Sequence, residues 1–166
     1  MKRETGNFAA LLRNRSRARL VQPLLGAGCR SGPFRTHSFS MTGRIRTHLI
    51  RYARQQTGTL SYLTLVQEAE LGFNLEISHE KSRLNEMLAE ISTTEHEAGR
   101  PLLSGLIKVA GSKGQGDNFY KLCERLGMGE WRTLKQDEKF VKNIAQQCHD
   151  FWREEGNFQQ FAGDAE

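Results

Sequence analysis

The sequence predicts a mainly helical α+β domain, with about five helices and a small sheet of two or three strands in a winged-helix-like arrangement. Three observations predict this fold. Apolar residues recur at helical spacing in several segments, two shorter apolar segments have the length and flanks of strands, and glycine or proline separates the segments. The 166 residues suffice for one domain of ordinary size. The apolar runs are too short to span a membrane.

The chain divides into an arginine-rich arm over residues 1–44, a single globular domain over 45–155 and a flexible tail over 156–166. The arm has too little apolar surface to offset chain entropy, so we expect it to be disordered. Residues 1–46 hold ten bases and one acid, a formal charge of +9, whereas the remainder holds 14 bases and 18 acids, or −4. The domain therefore has no general electrostatic attraction to phosphate.

The arm admits three interpretations. Its arginine-rich, nearly acid-free composition is typical of a mitochondrial transit peptide and of a nucleic-acid-binding tail. Alternatively, translation starts at Met41 and the arm is not part of the natural product. Three cysteines without framework spacing favour a reducing compartment, the cytoplasm, or the mitochondrion if the arm is a transit peptide. Cys123 and Cys148 fall on apolar helical faces, which predicts buried, unreactive thiols.

The first half of the domain contains three predicted helices. Apolar residues at helical spacing predict a helix over about 45–57. Thr59 or Ser61 caps a second helix over about 61–71. Alternation over 73–77 predicts a short strand. Ser78 then caps a third helix over about 79–96.

The second half begins with a short apolar segment. Residues 102–109 are bounded by a proline and a glycine and predict a buried strand, although their periodicity also fits a helix. The glycine-rich segment 111–116 predicts a hairpin or wing tip, after which Asp117 caps a fourth helix. Thr133 opens a stretch with the form of a capping box, which predicts a long helix to about Glu155.

The start of the third helix is a candidate DNA-reading surface. A helix-turn-helix places the first residues of its second helix in the major groove. The candidate nucleic-acid-binding residues are therefore His79, Lys81, Ser82, Arg83 and Asn85. Arginine and asparagine make bidentate contacts with bases. Three glutamates in the same stretch would repel phosphate, so a solvated helix face with mixed charges is the alternative interpretation.

A compact polar cluster closes the third helix. The candidate catalytic residues Glu95, His96, Glu97 and Arg100 offer carboxylates, an imidazole and a guanidinium, which could move a proton, hold a metal or clamp an anion. Adjacent helical residues point in different directions, however. A structural role is the alternative: Arg100 pairs with a glutamate and His96 bonds the last helix carbonyls. We expect no metal or cofactor, because zinc-site spacing and a phosphate-binding loop pattern are both missing.

The stretch from Glu95 to Ile107, followed by the glycine turn and the run 118–122, resembles a family of small bacterial proteins with an E-xx-xGRPLLSALVV run. The resemblance covers about residues 60–155 and departs at Lys108 and Asp117. It implies a domain boundary and no activity. More distantly, the order of helices and strand–turn resembles the winged-helix arrangement of alkyltransferase-like DNA proteins. Their Pro-Cys-His-Arg run is missing here, so alkyl transfer is not implied.

These observations favour a non-catalytic interaction module. Its expected partner is DNA or another protein, and no membrane is expected. The competing hypothesis is a hydrolase or nuclease-related enzyme that uses the cluster of Glu95, His96, Glu97 and Arg100.

Overall fold

The structure is a computed structural model that describes residues 40–109 and 115–163. Within these residues the chain is mainly helical with one small sheet, as the sequence predicts. It contains seven α-helices, two strands and a 3-10 helix, in the order α1 (Met41–Gln55), β1 (Leu60–Ser61), α2 (Tyr62–Glu68), α3 (Ser78–Glu97), the 3-10 helix (Leu103–Leu106), β2 (Ile107–Lys108), α4 (Asp117–Arg125), α5 (Trp131–Gln136), α6 (Phe140–Arg153) and α7 (Glu155–Phe161). No helix in this part of the chain is long and apolar enough to cross a bilayer.

Helix α1 begins before the predicted position 45. The Ser40 hydroxyl accepts the backbone N–H of Gly43 at 3.1 Å, so the helix starts at Met41. The expected disorder of residues 1–39 and most of the expected glycine turn lie outside the part of the chain that the structure describes.

Of the four helices with a predicted cap, only α2 has one that forms. The Ser61 hydroxyl accepts a backbone N–H of the first turn of α2 at 3.1 Å. Ser78 lies inside α3, whose N-cap position is taken by Ile77 without a side-chain hydrogen bond. Asp117 lies inside α4 and pairs with Lys135 at 2.6 Å, which holds the pKa of the Asp117 carboxyl below its usual value.

The prediction of a strand at 73–77 is wrong. The Asn74 side chain accepts the backbone N–H of Glu76 at 3.0 Å, and the Glu80 carboxylate accepts the backbone N–H of Asn74. Asparagine favours such local turns because its side chain bonds the backbone two residues on. These side chains take the backbone donors that a neighbouring strand would need, and the segment forms an irregular loop.

The predicted strand at 102–109 forms only at its end. Leu103–Leu106 is a 3-10 helix, and of residues 102–109 only Ile107–Lys108 forms a strand. The Ser92 hydroxyl of α3 accepts a backbone N–H of the 3-10 helix at 3.0 Å and so fixes this turn against α3. Strand β2 then pairs with β1 in parallel, with Leu60 opposite Ile107.

The single helix predicted over 133–155 is divided into shorter helices. The Asp137 side chain accepts the backbone N–H of Lys139 at 2.9 Å, forming a turn between α5 and α6. The backbone is extended again at Glu154, before α7. The predicted capping box does not open a helix, because Thr133 lies inside α5.

Two apolar clusters form the core of the described chain. The larger joins the buried faces of α1, α2, α3 and α6 with the sheet. Phe158 and Phe161 of α7 pack against it, so a helix continues past position 156, where the sequence predicts a flexible tail. The smaller cluster joins Phe119 of α4 to Ile144 of α6.

Cys123 and Cys148 are buried within these clusters, as predicted. Burial raises the pKa of Cys123 to about 12 and also raises the pKa of Cys148. The Cys148 thiol donates to the Leu102 carbonyl oxygen at 3.1 Å. Both thiols keep their protons at neutral pH, and the reactive thiolate is scarce.

The contact between the 3-10 helix and α6 can be tested at Gly105. A Cβ atom at this position would overlap the Ile144 side chain, which belongs to the core. We expect Gly105→Ala to lower the free energy of unfolding by about 1–3 kcal/mol in urea denaturation. Gly156→Ala is the control, because a Cβ there meets open space and alanine favours a helix. Equal unfolding midpoints for the two variants would contradict the close approach.

Candidate functional site

The predicted polar cluster is built around a fully buried carboxylate. Glu95 has no exposed surface, and its two oxygens accept hydrogen bonds from Arg46 Nε and Arg100 Nε, each at 2.6 Å. The guanidinium groups are themselves nearly buried. A carboxylate held in this way by two cations has no oxygen left for a substrate proton, which favours the structural interpretation of Glu95 and Arg100.

The same arginines hold the end of the chain against α3. Arg46 donates to the carbonyl oxygens of Phe161 at 2.9 Å and Ala162 at 3.2 Å, which are the free acceptors at the end of α7. Its guanidinium lies 5.6 Å from the Trp152 ring centre, and that of Arg100 lies 5.4 Å from the ring centre of Phe161. These contacts join α1, α3, α6 and α7.

The remaining members of the cluster do not converge on Glu95. His96 is half-buried and Glu97 is exposed, as expected for adjacent residues that point in different directions. Within residues 40–109 and 115–163 no group of three or more His, Cys, Asp or Glu side chains could hold a metal ion. The cluster also lies outside the cleft described below.

The candidate DNA-reading residues are distributed around α3. Nine residues, 69–77, separate α2 from α3, whereas a helix-turn-helix has a turn of about three or four residues. His79, Lys81 and Arg83 are exposed and do not line the cleft. Ser82 and Asn85 do line it, so the structure brings only these two of the five candidates to one concave site.

The concave site is a cleft of about 440 Å³ between α3 and α4. One wall is α3 and the opposite wall is α4, while the start of α2, the 3-10 helix and Gln115 contribute the rest. The lining residues are Tyr62, Ser82, Asn85, Glu86, Leu88, Ala89, Ser104, Gln115, Asn118, Phe119, Lys121, Leu122 and Arg125. Its volume lies within the range of small-ligand sites.

The α3 wall is fixed by a hydrogen bond to α2. Ser82, Asn85 and Ala89 recur at helical spacing and therefore share one face. The Tyr62 hydroxyl donates to Asn85 Oδ1 at 2.8 Å. Burial raises the pKa of Tyr62, so the phenol keeps the proton that this bond needs. Asn85 is therefore held in one orientation.

The cleft lining includes Gln115, which is 7% exposed. Its side-chain Nε2 donates to the carbonyl oxygens of Ser104 at 3.3 Å and Gly105 at 3.2 Å. Ser104 is fixed in turn, because its hydroxyl accepts a hydrogen bond from the Ser92 hydroxyl at 2.7 Å. Carbonyl oxygens only accept, so the amide group of Gln115 has one allowed orientation, with Oε1 directed away from them.

The α4 wall carries the positive charge of the cleft. Lys121 and Arg125 are exposed and four residues apart, so they lie on the same side of the helix. Lys121 Nζ also lies 5.4 Å from the ring centre of Trp131. Glu86, on α3, is the acidic residue of the lining.

Sequence reasoning did not identify most of these residues. Tyr62 carries no site prediction, and Gln115 falls in the glycine-rich segment 111–116, which predicts a hairpin or wing tip. The spacing of Lys121 and Arg125 on the polar side of an amphipathic helix was the one visible signal. The partners of Tyr62 and Gln115 lie ten or more positions away, where local patterns carry no information.

The role of Glu95 can be tested by a neutral substitution. Glu95→Gln leaves two buried guanidinium groups without their counter-charge, and we expect the free energy of unfolding to fall by about 3–5 kcal/mol. Glu97→Gln, two positions away and exposed, should change it by less than about 0.5 kcal/mol. Thermal denaturation monitored by circular dichroism measures both. A Glu95→Gln variant as stable as Glu97→Gln would contradict the structural role.

Comparison with known proteins gives no further guide to this site. The chain matches no protein-family model, no curated protein and no solved structure. Its function must be argued from the geometry of the cleft and its charges.

Proposed function

We propose that this domain is a non-catalytic nucleic-acid-binding module whose contact surface is the cleft between α3 and α4. One observation carries the proposal: Ser82 and Asn85, two of the predicted nucleic-acid-binding residues, line the same cleft as Lys121 and Arg125. The cations supply contacts to phosphate, and the hydroxyl and amide groups supply hydrogen bonds to sugar or base.

The distribution of charge supports attraction of nucleic acid to the cleft rather than to the whole protein surface. Residues 47–166 carry a net charge of −4 (14 bases, 18 acids), so nucleic acid would not be attracted to the whole surface. Two exposed cations on one helix face are enough for a local phosphate contact. The pairing of Glu95 with Arg46 and Arg100 supports the non-catalytic part of the proposal.

The winged-helix-like arrangement is part of this proposal. Helices α1, α2 and α3 would supply its helical component. The wing would be the glycine-rich segment after β2, most of which lies outside the described residues.

A protein partner is the second candidate. It is favoured by Leu63 and Ile77, two large apolar side chains that are 55% and 37% exposed. Both lie outside the cleft lining. A protein that binds through them would be insensitive to charge changes on α4, which separates the two candidates.

The phosphate contact can be tested by charge reversal in the full chain. We expect Lys121→Glu combined with Arg125→Glu to weaken binding of a single-stranded oligonucleotide of about ten nucleotides. The loss should be about tenfold or more in fluorescence anisotropy at about 150 mM salt. Lys139→Glu with Lys142→Glu is the control, because it changes the charge equally outside the cleft. Every variant retains the arginine-rich arm, so the control pair has the same binding through the arm as the α4 pair.

A substitution of Glu86 tests whether the ligand bound in the cleft is negatively charged. This carboxylate lines the cleft and would repel a phosphate there. We expect Glu86→Gln to tighten oligonucleotide binding by about threefold, with a smaller effect at higher salt. Glu90→Gln is the control on the same helix outside the lining. Weaker binding by Glu86→Gln would mean that the ligand presents a cation or a donor at this wall.

A further inference from the structure

We propose that the cleft accepts one unpaired nucleotide whose base carries an exocyclic amino group, with that amino group donating to Gln115 Oε1. The phosphate of this nucleotide lies at Lys121 and Arg125. The inference rests on the proposed function and deepens it, because it names the form of nucleic acid and the part of the base that is recognised.

The chemistry of Gln115 selects the amino group. Its Nε2 is occupied by the carbonyl oxygens of Ser104 and Gly105, so the amide cannot be reversed without placing oxygen against oxygen. Within the described chain no donor reaches Oε1. Gln115 is more than nine-tenths buried and lines the cleft. Oε1 is not among the buried side-chain atoms of the described chain that lack a hydrogen-bond partner, so it is open to solvent and can accept an N–H donor from a ligand.

The cleft lining combines an acceptor, cations and apolar side chains. Gln115 offers the acceptor, and α4 offers the exposed cations Lys121 and Arg125. Apolar side chains of Leu88, Phe119 and Leu122 also line the cleft. A ligand that matches this lining has an N–H donor, a flat apolar body and an anion. A nucleotide of adenine or cytosine has this arrangement.

The space in the cleft decides which form of nucleic acid can enter. In a duplex the exocyclic amino groups of adenine and cytosine use one hydrogen in the base pair and present the other on the floor of the major groove, whereas an unpaired base can enter a pocket as a whole. Thymine and uracil place a carbonyl oxygen at the same position, which would oppose Oε1. A cleft of about 440 Å³ between two helices has room for a single unstacked nucleotide but not for a double helix.

The test compares two oligonucleotides that differ in the amino group alone. One is a single strand of about eight deoxycytidines, and the other replaces every cytosine by 2-pyrimidinone, which lacks the exocyclic amino group. Both have the same phosphates and nearly the same shape. We expect the full-length protein to bind the cytosine strand about tenfold more tightly in fluorescence anisotropy, and a thymidine strand no more tightly than the analogue.

Gln115→Leu tests the residue itself. It should remove the difference between the cytosine strand and its analogue, while both strands still respond to Lys121→Glu with Arg125→Glu. The comparison of strands on the unmodified protein needs no substitution, so the proposal stays testable if Gln115→Leu does not fold. A duplex of mixed sequence should bind at least about tenfold more weakly than its separated strands.

The outcomes separate the two proposals. Equal affinity for the cytosine strand and its analogue, with both weakened by charge reversal on α4, would overturn the inference and leave the proposed function standing. Tighter binding of the duplex than of its separated strands would also overturn the inference and leave the proposed function standing. Oligonucleotide binding that is unaffected by charge reversal on α4 would overturn both.

Discussion

Two guanidinium groups hold one buried carboxylate, and the position of α3 depends on this interaction. Glu95 is inaccessible to solvent, so its charge is tolerated only because Arg46 and Arg100 each donate to it at 2.6 Å. Arg46 comes from α1 and also binds the last carbonyls of α7. Breaking such a pair leaves an uncompensated buried charge, which costs far more than the pair contributes. The helices around α3 are therefore fixed in their relative positions.

The cleft depends on that arrangement through a series of hydrogen bonds. With α3 fixed, Ser92 binds the hydroxyl and backbone N–H of Ser104 and sets the 3-10 helix in place. The carbonyl groups of the 3-10 helix then orient Gln115. On the other side of the 3-10 helix, Gly105 lies against Ile144 without room for a side chain. The polar end of the cleft is thus set by the core rather than by flexible surface residues.

The sequence predicts what local patterns control. Apolar periodicity identified the main helices, and Ser61, one of the two caps predicted for α2, forms because a cap bonds its own helix. The strand at 73–77 and the continuous helix over 133–155 failed because Asn74 and Asp137 bond nearby backbone groups, which periodicity does not detect. The partner of Glu95 in α1 lies 49 positions away, so no motif search could have paired them.

The cleft was only partly predictable for the same reason. Ser82 and Asn85 were identified by residue type, but their partners across the cleft depend on the packing of α3 against α4. Gln115 is the most informative case. Its Nε2 satisfies the carbonyl oxygens of Ser104 and Gly105, a structural role that already favours an amide over an apolar side chain at this position. Gln115 also lines the cleft. The proposed recognition of a base would therefore use an amide that the fold has already oriented.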